Sequence, residues 1–347
     1  MPRTWQSVGN CGLISFSLKH CCWGCLESER RTYRSDATHE SYSKNHAAID
    51  GRTGCLPITV YRLLSRNLPN TKRLTPPFLL MDSALALQEF LRPPPPLRNL
   101  KREQAVLERA EVSRIEIIPG TENDIEEITV YRWGKTDRRV LLVHGWGGKA
   151  AQFFSFVGPL LEAGFEVIAF DAPAHGASSG SFASGPAFAR AARVVAGAAV
   201  HGIIAHSLGA AGSAIGLAQG LKADRVVFLA PAALIASLLE EFIRLRQIPE
   251  PVAAELRQRF AARYSAEIVS VPLMASRFDA PVLIFHDPED RDLPFSHSEA
   301  IAASWTGAQL VASSRAGHWR IMRDQAVIER AIRFLSVSGI PAVAVGS

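Results

Sequence analysis

Short apolar runs recur eight times between residues 112 and 312, and this spacing constrains the fold more than any other feature. The runs cover residues 112–118, 128–133, 139–144, 165–171, 201–206, 225–230, 281–286 and 308–312. Segments such as VLLV and VVFLA are apolar throughout, as in strands that are buried on both faces. Helical patterns lie between most of the runs from residue 149 onward. The sequence therefore predicts an α/β fold with a mostly parallel eight-stranded sheet flanked by helices, whose first two strands form an antiparallel edge pair.

One connection in this pattern is too long for a simple crossover. Fifty residues separate the runs that end at 230 and begin at 281, whereas a crossover helix with its loops needs about a dozen or somewhat more. The surplus predicts a helical cap over about residues 232–278. An insertion there lies at the edge of the sheet where open α/β folds bind ligands. An apolar stripe on its first helix makes Leu238 and Phe242 candidate substrate-binding residues, although such a stripe also serves to pack a cap onto its body.

The segment Ala205-His206-Ser207-Leu208-Gly209 has the context of a nucleophile elbow, because a strand pattern precedes it and a helix pattern follows it. The sharp turn of such an elbow brings residues two before and two after the serine close together. Ala205 and Gly209 are small enough, and Ala205 is one departure from the pattern G-x-S-x-G. The sequence makes Ser207 the candidate nucleophile.

A glycine-rich turn, His144-Gly145-Trp146-Gly147-Gly148, ends the apolar run VLLV. Such a turn can direct a backbone N–H group toward the reaction centre. The N–H groups of Trp146 and Leu208 are therefore the predicted oxyanion-hole donors.

Two later segments offer the acid and the base that an activated serine needs. Asp290 is the preferred acid within HDPEDRDLP, while Asp287 and Asp292 are interpreted as turn or surface acids. His318, in Ala316-Gly317-His318-Trp319, is the predicted base. Ser207, Asp290 and His318 occur in this order, each after a predicted strand, so a parallel sheet would bring them to one edge.

Over about residues 113–336 the chain resembles the α/β-hydrolase fold serine hydrolases. The resemblance is carried by LLVHGWGG, FDAPAHGASSG, AHSLGA, HDPEDRDLP and AGHWRIMRD, in that order. It implies the triad Ser207, Asp290 and His318. It also implies turn-shaping and not catalytic roles for His144, His206 and the segment from Asp171 to Gly176.

These patterns favour a carboxylesterase-like hydrolase that acts on a small-molecule ester or thioester of a small apolar acyl group, without a cofactor. Acyl transfer and perhydrolysis remain open, since the same triad serves both. A non-catalytic binding protein with this fold is a further alternative, which the complete triad disfavours.

Residues 1–80 differ from the remainder. Residues 1–104 carry a net charge of +7 and residues 105–347 a net charge of −2, so no basic surface for nucleic acid is expected on the body. All five cysteines lie within the first 55 residues, and their single C-x-x-C lacks a second pair, so we expect no metal site and a reducing, cytoplasmic location. We interpret residues 1–80 as a basic leader, either a genuine tail or an over-translation upstream of Met81.

The remaining boundaries follow from composition. Residues 81–112 are predicted to be a proline-rich linker with a charged helix over about 97–111, and residues 337–347 a C-terminal tail. No run is long and apolar enough to predict a membrane span.

Overall fold

The computed structural model describes residues 82–95, 98–118, 126–266 and 268–337. The predictions made for residues 1–80, including all five cysteines, lie outside these ranges, as does the predicted tail beyond Val337. Within these ranges, no helix is both long and apolar enough to cross a membrane.

An eight-stranded sheet forms the centre of the fold. Its strands are β1 Glu111–Ile117, β2 Glu126–Trp133, β3 Arg139–Val143, β4 Glu166–Phe170, β5 Val200–His206, β6 Ala223–Leu229, β7 Val282–His286 and β8 Gln309–Ala312. The spatial order is β1-β2-β4-β3-β5-β6-β7-β8. The pairs β1–β2 and β2–β4 are antiparallel and the others parallel. The predicted fold class and the antiparallel edge pair are confirmed.

Helices cover both faces of the sheet. They are α1 Ser83–Leu91, α2 Lys101–Leu107, α3 Phe154–Glu162, α4 Gly185–Ala196, α5 Leu208–Ala218, α6 Ile235–Arg246, α7 Glu250–Arg263, α8 Val271–Ala275, α9 Ser296–Ser304, α10 Gly317–Arg320 and α11 Gln325–Ser336. The charged helix expected over about 97–111 is shorter, because strand β1 already begins at Glu111. Helices α6, α7 and α8 lie in the interval predicted to be a cap.

The sheet is buried because it has an apolar core on each face. Along β3, Leu141 and Val143 face one core while Val140 and Leu142 face the other, and none of the four is exposed to solvent. Alternate residues of an extended strand point to opposite faces. A strand buried on both faces must therefore be apolar at consecutive positions, which explains the runs in the sequence.

Candidate active site

Ser207 lies between the last residue of β5 and the first residue of α5. Its φ of 53° and ψ of −119° place a non-glycine residue in the left-handed half of backbone space, which is strained and requires support from its surroundings. Gly209 is required here, because a Cβ atom at that position would lie 2.2 Å from the carbonyl oxygen of His144. Ala205 is fully buried, so the turn accommodates its methyl group.

The three predicted triad residues come together although they lie far apart in the sequence. The Nε2 atom of His318 is 3.1 Å from the Oγ atom of Ser207, and its Nδ1 atom is 2.8 Å from Oδ2 of Asp290. A carboxylate only accepts hydrogen bonds, so Nδ1 carries the hydrogen and the Nε2 lone pair points to the serine hydroxyl. This arrangement allows His318 to remove the hydroxyl proton of Ser207.

The Asp290 carboxylate has no solvent-exposed surface. Its Oδ1 atom accepts hydrogen bonds from the backbone N–H groups of Asp292 and Leu293, at 2.8 and 3.0 Å. Burial alone would raise the pKa of Asp290, but hydrogen bonds from His286 and His318 outweigh burial and lower that pKa below its ordinary value. The group is therefore an ionised acceptor for the Nδ1 hydrogen of His318.

The neighbouring acid Asp287 is buried and does not face solvent. One of its oxygens accepts a hydrogen bond from the backbone N–H of Gly317 at 2.6 Å, and the other accepts from that of Glu289 at 3.0 Å. Asp287 is thus a turn acid, one of the two roles expected for it, and it ties the loop after β7 to the residue preceding His318. Asp292 is half-buried.

His206, the last residue of β5, supports the base from behind. Its Nε2 atom lies 2.8 Å from the carbonyl oxygen of His318, and the two rings are 4.7 Å apart at their centroids. The side chain is completely buried, and this burial holds its pKa well below the usual range. A neutral imidazole can therefore donate to the His318 backbone without placing a positive charge beside the triad.

The glycine-rich turn passes close to the nucleophile. A Cβ atom on Gly145 would lie 2.8 Å from Cβ of Ser207, so only glycine allows this approach. Trp146 follows directly, and Leu208 is the first residue of α5, where the N–H groups at a helix start lack acceptors within the helix. These positions suit the two predicted oxyanion donors, whose role stays a prediction.

Two buried histidines fix this turn to the loop after β4. The Nε2 atom of His144 accepts the N–H of Ala172 at 2.9 Å, and that of His175 accepts the N–H of Gly147 at 3.0 Å. In each ring Nδ1 is paired with a carbonyl oxygen, so Nε2 carries no hydrogen. Burial lowers the pKa of His144 to about 4 and that of His175 to about 3. Both histidines shape turns, in line with the sequence analysis.

A buried carboxylate organises the other side of this loop. Asp171 accepts hydrogen bonds from the N–H groups of Ala150 and Ala177, both at 2.8 Å, and from the hydroxyl of Tyr131 at 3.2 Å. Burial raises the pKa of Asp171. Gly176 packs directly on the carboxylate, because a Cβ atom there would lie 2.1 Å from Oδ2 of Asp171. The segment from Asp171 to Gly176 is thus a packed structural turn.

On the first cap helix, α6, Ile235, Leu239 and Ile243 are buried, so part of the apolar stripe packs the cap. Leu238 and Phe242 are half-buried, and the ring of Phe242 lies 5.4 Å from that of Phe90. Their role in substrate binding stays a prediction.

Helix α1 packs against the cap helices, and this contact was not predicted from the sequence. The ring of Phe90 also lies 5.9 Å from Phe260 of α7, and the hydroxyl of Ser83 donates to Glu255 at 2.9 Å. Beyond α1, Pro94 reaches the glycine-rich turn, since a Cβ atom on Gly147 would lie 2.8 Å from Cγ of Pro94. The segment therefore connects the cap helices to the turn beside the nucleophile.

Among the residues that the structure describes, one group has ligand atoms spaced closely enough to hold a metal ion. Carboxylate and ring atoms of Asp290, Asp292 and His318 all lie within 4.8 Å of one another. Asp290 and His318 already bond to each other as the predicted acid and base, so this group coincides with the candidate active site.

His286, the last residue of β7, also contacts Asp290, with 3.2 Å between Nε2 and Oδ2. No role is predicted for His286 from the sequence. Its only signal was its place at the end of an apolar strand, four residues before the acid, and a satisfied core histidine produces the same signal.

The model of the alpha/beta hydrolase family matches residues 140–330, which is more than half of the chain. No functionally curated protein matches the sequence.

Two solved structures illustrate the fold. The esterase Pf2001 of Pyrococcus furiosus is 18% identical with a TM-score of 0.50, over 71% of this chain and 96% of that chain. A structure from a study of carboxylesterases of Nitrososphaera gargenis is 16% identical with a TM-score of 0.51, over 65% of this chain and 98% of that chain. At these identities the likeness shows the fold alone.

Proposed function

We propose, from the premise that this chain belongs to the alpha/beta hydrolase family, that it is a serine hydrolase for esters or thioesters of small uncharged acyl groups. The observation that carries the proposal is the hydrogen-bonded chain from Ser207 through His318 to Asp290. A binding protein has no need of a serine in a strained turn that faces a correctly oriented imidazole.

The acylation step follows from this geometry. The Nε2 atom of His318 takes the hydroxyl proton while Oγ of Ser207 attacks the acyl carbonyl carbon. The carbonyl oxygen becomes negatively charged and is stabilised by the N–H groups of Trp146 and Leu208. The proton on His318 then passes to the leaving alcohol or thiol, and an acyl-enzyme remains on Ser207.

Deacylation repeats the same steps with water. His318 removes a proton from water, the resulting hydroxide attacks the acyl carbon, and Ser207 leaves with the proton that His318 returns. The buried carboxylate of Asp290 stabilises the imidazolium in both half-reactions without itself taking the proton.

The charges of the cap support an uncharged acyl group. Arg257 of α7 pairs with Glu240 at 2.7 Å and with Glu250 at 2.9 Å, and Arg244 pairs with Glu241 within α6. These side chains are largely exposed, and three glutamates more than balance the two arginines, whereas the residues that α6 buries are apolar. Nothing in these pairs provides a free cation for a carboxylate on the substrate.

A fluorophosphonate probe tests the activated serine without knowledge of the substrate. We expect stoichiometric labelling of the native protein, with the label mapped to the peptide that contains Ser207. Absence of labelling in folded protein, or labelling at another serine, would contradict the proposal.

A series of p-nitrophenyl esters tests the acyl group. Uncharged acyl chains of about two to eight carbons should be turned over, and peptides should not. A strong preference for acyl groups that carry a carboxylate would overturn the substrate class but not the triad.

A further inference from the structure

A second imidazole, that of His286, contacts the same oxygen of the Asp290 carboxylate as His318 does. His286 is completely buried. Its Nε2 atom lies 3.1 Å from the carbonyl oxygen of Leu293 and 3.2 Å from Oδ2 of Asp290, and its Nδ1 atom lies 2.7 Å from the hydroxyl of Ser298. A carbonyl oxygen only accepts, so Nε2 carries the hydrogen, and Nδ1 accepts the hydroxyl hydrogen of Ser298.

The imidazole ring of His286 is held by residues of regular secondary structure, whereas Asp290, which it contacts, lies in a loop. His286 is the last residue of β7 and Ser298 belongs to α9, so both ends of the ring are fixed by regular structure. Asp290 lies in the loop between them. Its Oδ2 atom faces the hydrogens of His286 and His318 together, while its Oδ1 atom is held by backbone N–H groups. Without His286, His318 would be the only remaining side chain bonded to Oδ2 in the described structure.

We propose that His286 is a positioning residue of the reaction, which holds the Asp290 carboxylate in the plane that pairs with Nδ1 of His318. The inference rests on the proposed serine hydrolase function. His286 touches neither Ser207 nor the substrate position in this mechanism, so it acts through Asp290.

Other titratable groups also surround the ring. Asp287 and Asp292 lie in the same loop as Asp290, His318 approaches from α10, and His297 lies beside Ser298 on α9. Substitution of His286 leaves all of these in place, so a change in the pH profile reports on the Asp290 contact.

The test compares three replacements of His286 in the full chain, with p-nitrophenyl butyrate as substrate. His286→Leu removes the N–H donor, His286→Gln offers an amide N–H at a similar reach, and His286→Asn carries the same amide one methylene shorter. We expect His286→Leu and His286→Asn to lower kcat by about tenfold with little change in KM. His286→Gln should retain most of the native kcat. The acid limb of the kcat profile should move to higher pH in His286→Leu and His286→Asn, because an Asp290 carboxylate without this donor directs more of its negative charge toward the imidazolium that forms on the base.

The matched control is His201→Leu, near the start of β5 and therefore at the end of that strand away from Ser207. That ring bonds to the carbonyl oxygen of Leu335 at 2.8 Å, so its loss should lower thermal stability without moving the acid limb. If His286→Leu does not fold, the comparison of His286→Gln with His286→Asn tests the positioning role.

Equal kcat values and equal acid limbs for the folded Gln and Asn variants and the native protein would overturn the positioning role. If the native protein itself shows no ester hydrolysis and no fluorophosphonate labelling, the proposed function has failed. Labelled, active native protein with unaffected variants would refute only the role of His286.

Discussion

The carboxyl edge of the sheet and the cap are stabilised in different ways. At the edge, the decisive contacts are buried hydrogen bonds with fixed partners, such as that between Asp290 and His318, whose side chains are at most 6% exposed. In the cap, the ion pairs of Arg257 with Glu240 and Glu250 are exposed. Exposed ion pairs contribute on the order of 0–1 kcal/mol, so apolar packing must hold the cap.

This difference separates the functions of the two regions. A buried hydrogen bond has one good geometry, and its loss leaves a desolvated polar group, so the edge is suited to the placement of reacting atoms. An apolar contact surface tolerates small shifts, so the cap is suited to adapt to an acyl chain. Changes at the edge should therefore act on kcat, and changes in the cap on KM and stability.

The largest expected effect is at the nucleophile. Ser207→Ala removes the attacking oxygen and should lower ester turnover by about 10⁴–10⁶-fold, with loss of fluorophosphonate labelling and no loss of fold. Ser213→Ala on α5 is the matched control, because its hydroxyl bonds only to the carbonyl oxygen of Gly209 in the described structure, and turnover should stay within a few-fold of native. Persistent labelling of Ser207→Ala would show that another serine is the nucleophile.

The next effect is at the acid. Asp290→Asn keeps the shape but replaces an acceptor by a donor beside Nδ1 of His318, which selects the wrong tautomer. We expect kcat to fall by about 10⁴-fold. Asp292→Asn should retain most activity, and Asp287→Asn should lose only a few-fold, because its remaining oxygen can still accept the Gly317 N–H. If Asp292 or Asp287 proves essential instead, the acid has been misassigned.

The strands could be predicted from the sequence, and their bounds agree with the structure within two residues. Strands that are buried on both faces must be apolar at consecutive positions, so their burial can be recognised from the local sequence. The candidate triad followed from the same logic, since it needed only the ends of parallel strands. The position of β4 between β2 and β3 was not predicted, because pairing order depends on contacts between distant segments.

The packing of α1 on the cap was missed for the same kind of reason. The aromatic residues Phe90, Phe242 and Phe260 lie far apart in the sequence, and no local period links them. His286 was missed because a buried histidine at a strand end has the same sequence signature whether it contacts the acid or only the core. In both cases the information lies in three-dimensional contacts.

The third prediction concerns the loss of stability at low pH, which we expect from buried histidines at the carboxyl edge of the sheet. His144, His175 and His206 are buried with lowered pKa values, so below pH 6.5 the unfolded chain binds protons that the folded chain does not. The free energy of unfolding should therefore decrease as the pH falls, by about 1.4 kcal/mol per pH unit for each histidine, until the pH approaches the folded pKa, which is about 4 for His144 and about 3 for His175.

Urea unfolding at pH 7 and pH 5 measures this loss. In His175→Gln, where an amide oxygen can still accept the Gly147 N–H, the loss should be smaller by about 2 kcal/mol. Ser213→Ala serves as the control, because it removes a hydroxyl that bonds to the carbonyl oxygen of Gly209 and changes no titratable group, so it should leave the difference between the two pH values nearly unchanged. An unchanged difference in His175→Gln would mean that this histidine is charged in the folded protein.

The smallest effect is expected in the cap. Phe90→Ala removes the ring that α1 places between Phe242 and Phe260, and should cost about 1–3 kcal/mol of stability. Since Pro94 follows α1 and contacts Gly147, loosening this helix should also raise KM for the longer acyl esters while kcat for the acetyl ester stays within about twofold. Phe334→Ala on α11 is the matched control, because that half-buried ring packs against Arg225 on the body; it should lower stability and leave KM unchanged.

Two shortened chains test the contribution of α1 to substrate binding directly. A chain that begins at Met81 retains α1 and should match the full chain in stability, KM and kcat, whereas one that begins at Arg98 lacks α1 and Pro94 and should reproduce the KM change of Phe90→Ala. The contrast isolates α1, because both chains lack residues 1–80 and both keep the triad. If the chain from Arg98 binds long and short acyl esters as the full chain does, α1 packs on the cap without shaping its pocket. If it instead loses kcat for the acetyl ester by tenfold or more, the contact of Pro94 with Gly147 belongs functionally to the catalytic edge, and the division of labour between the two regions is wrong at this point.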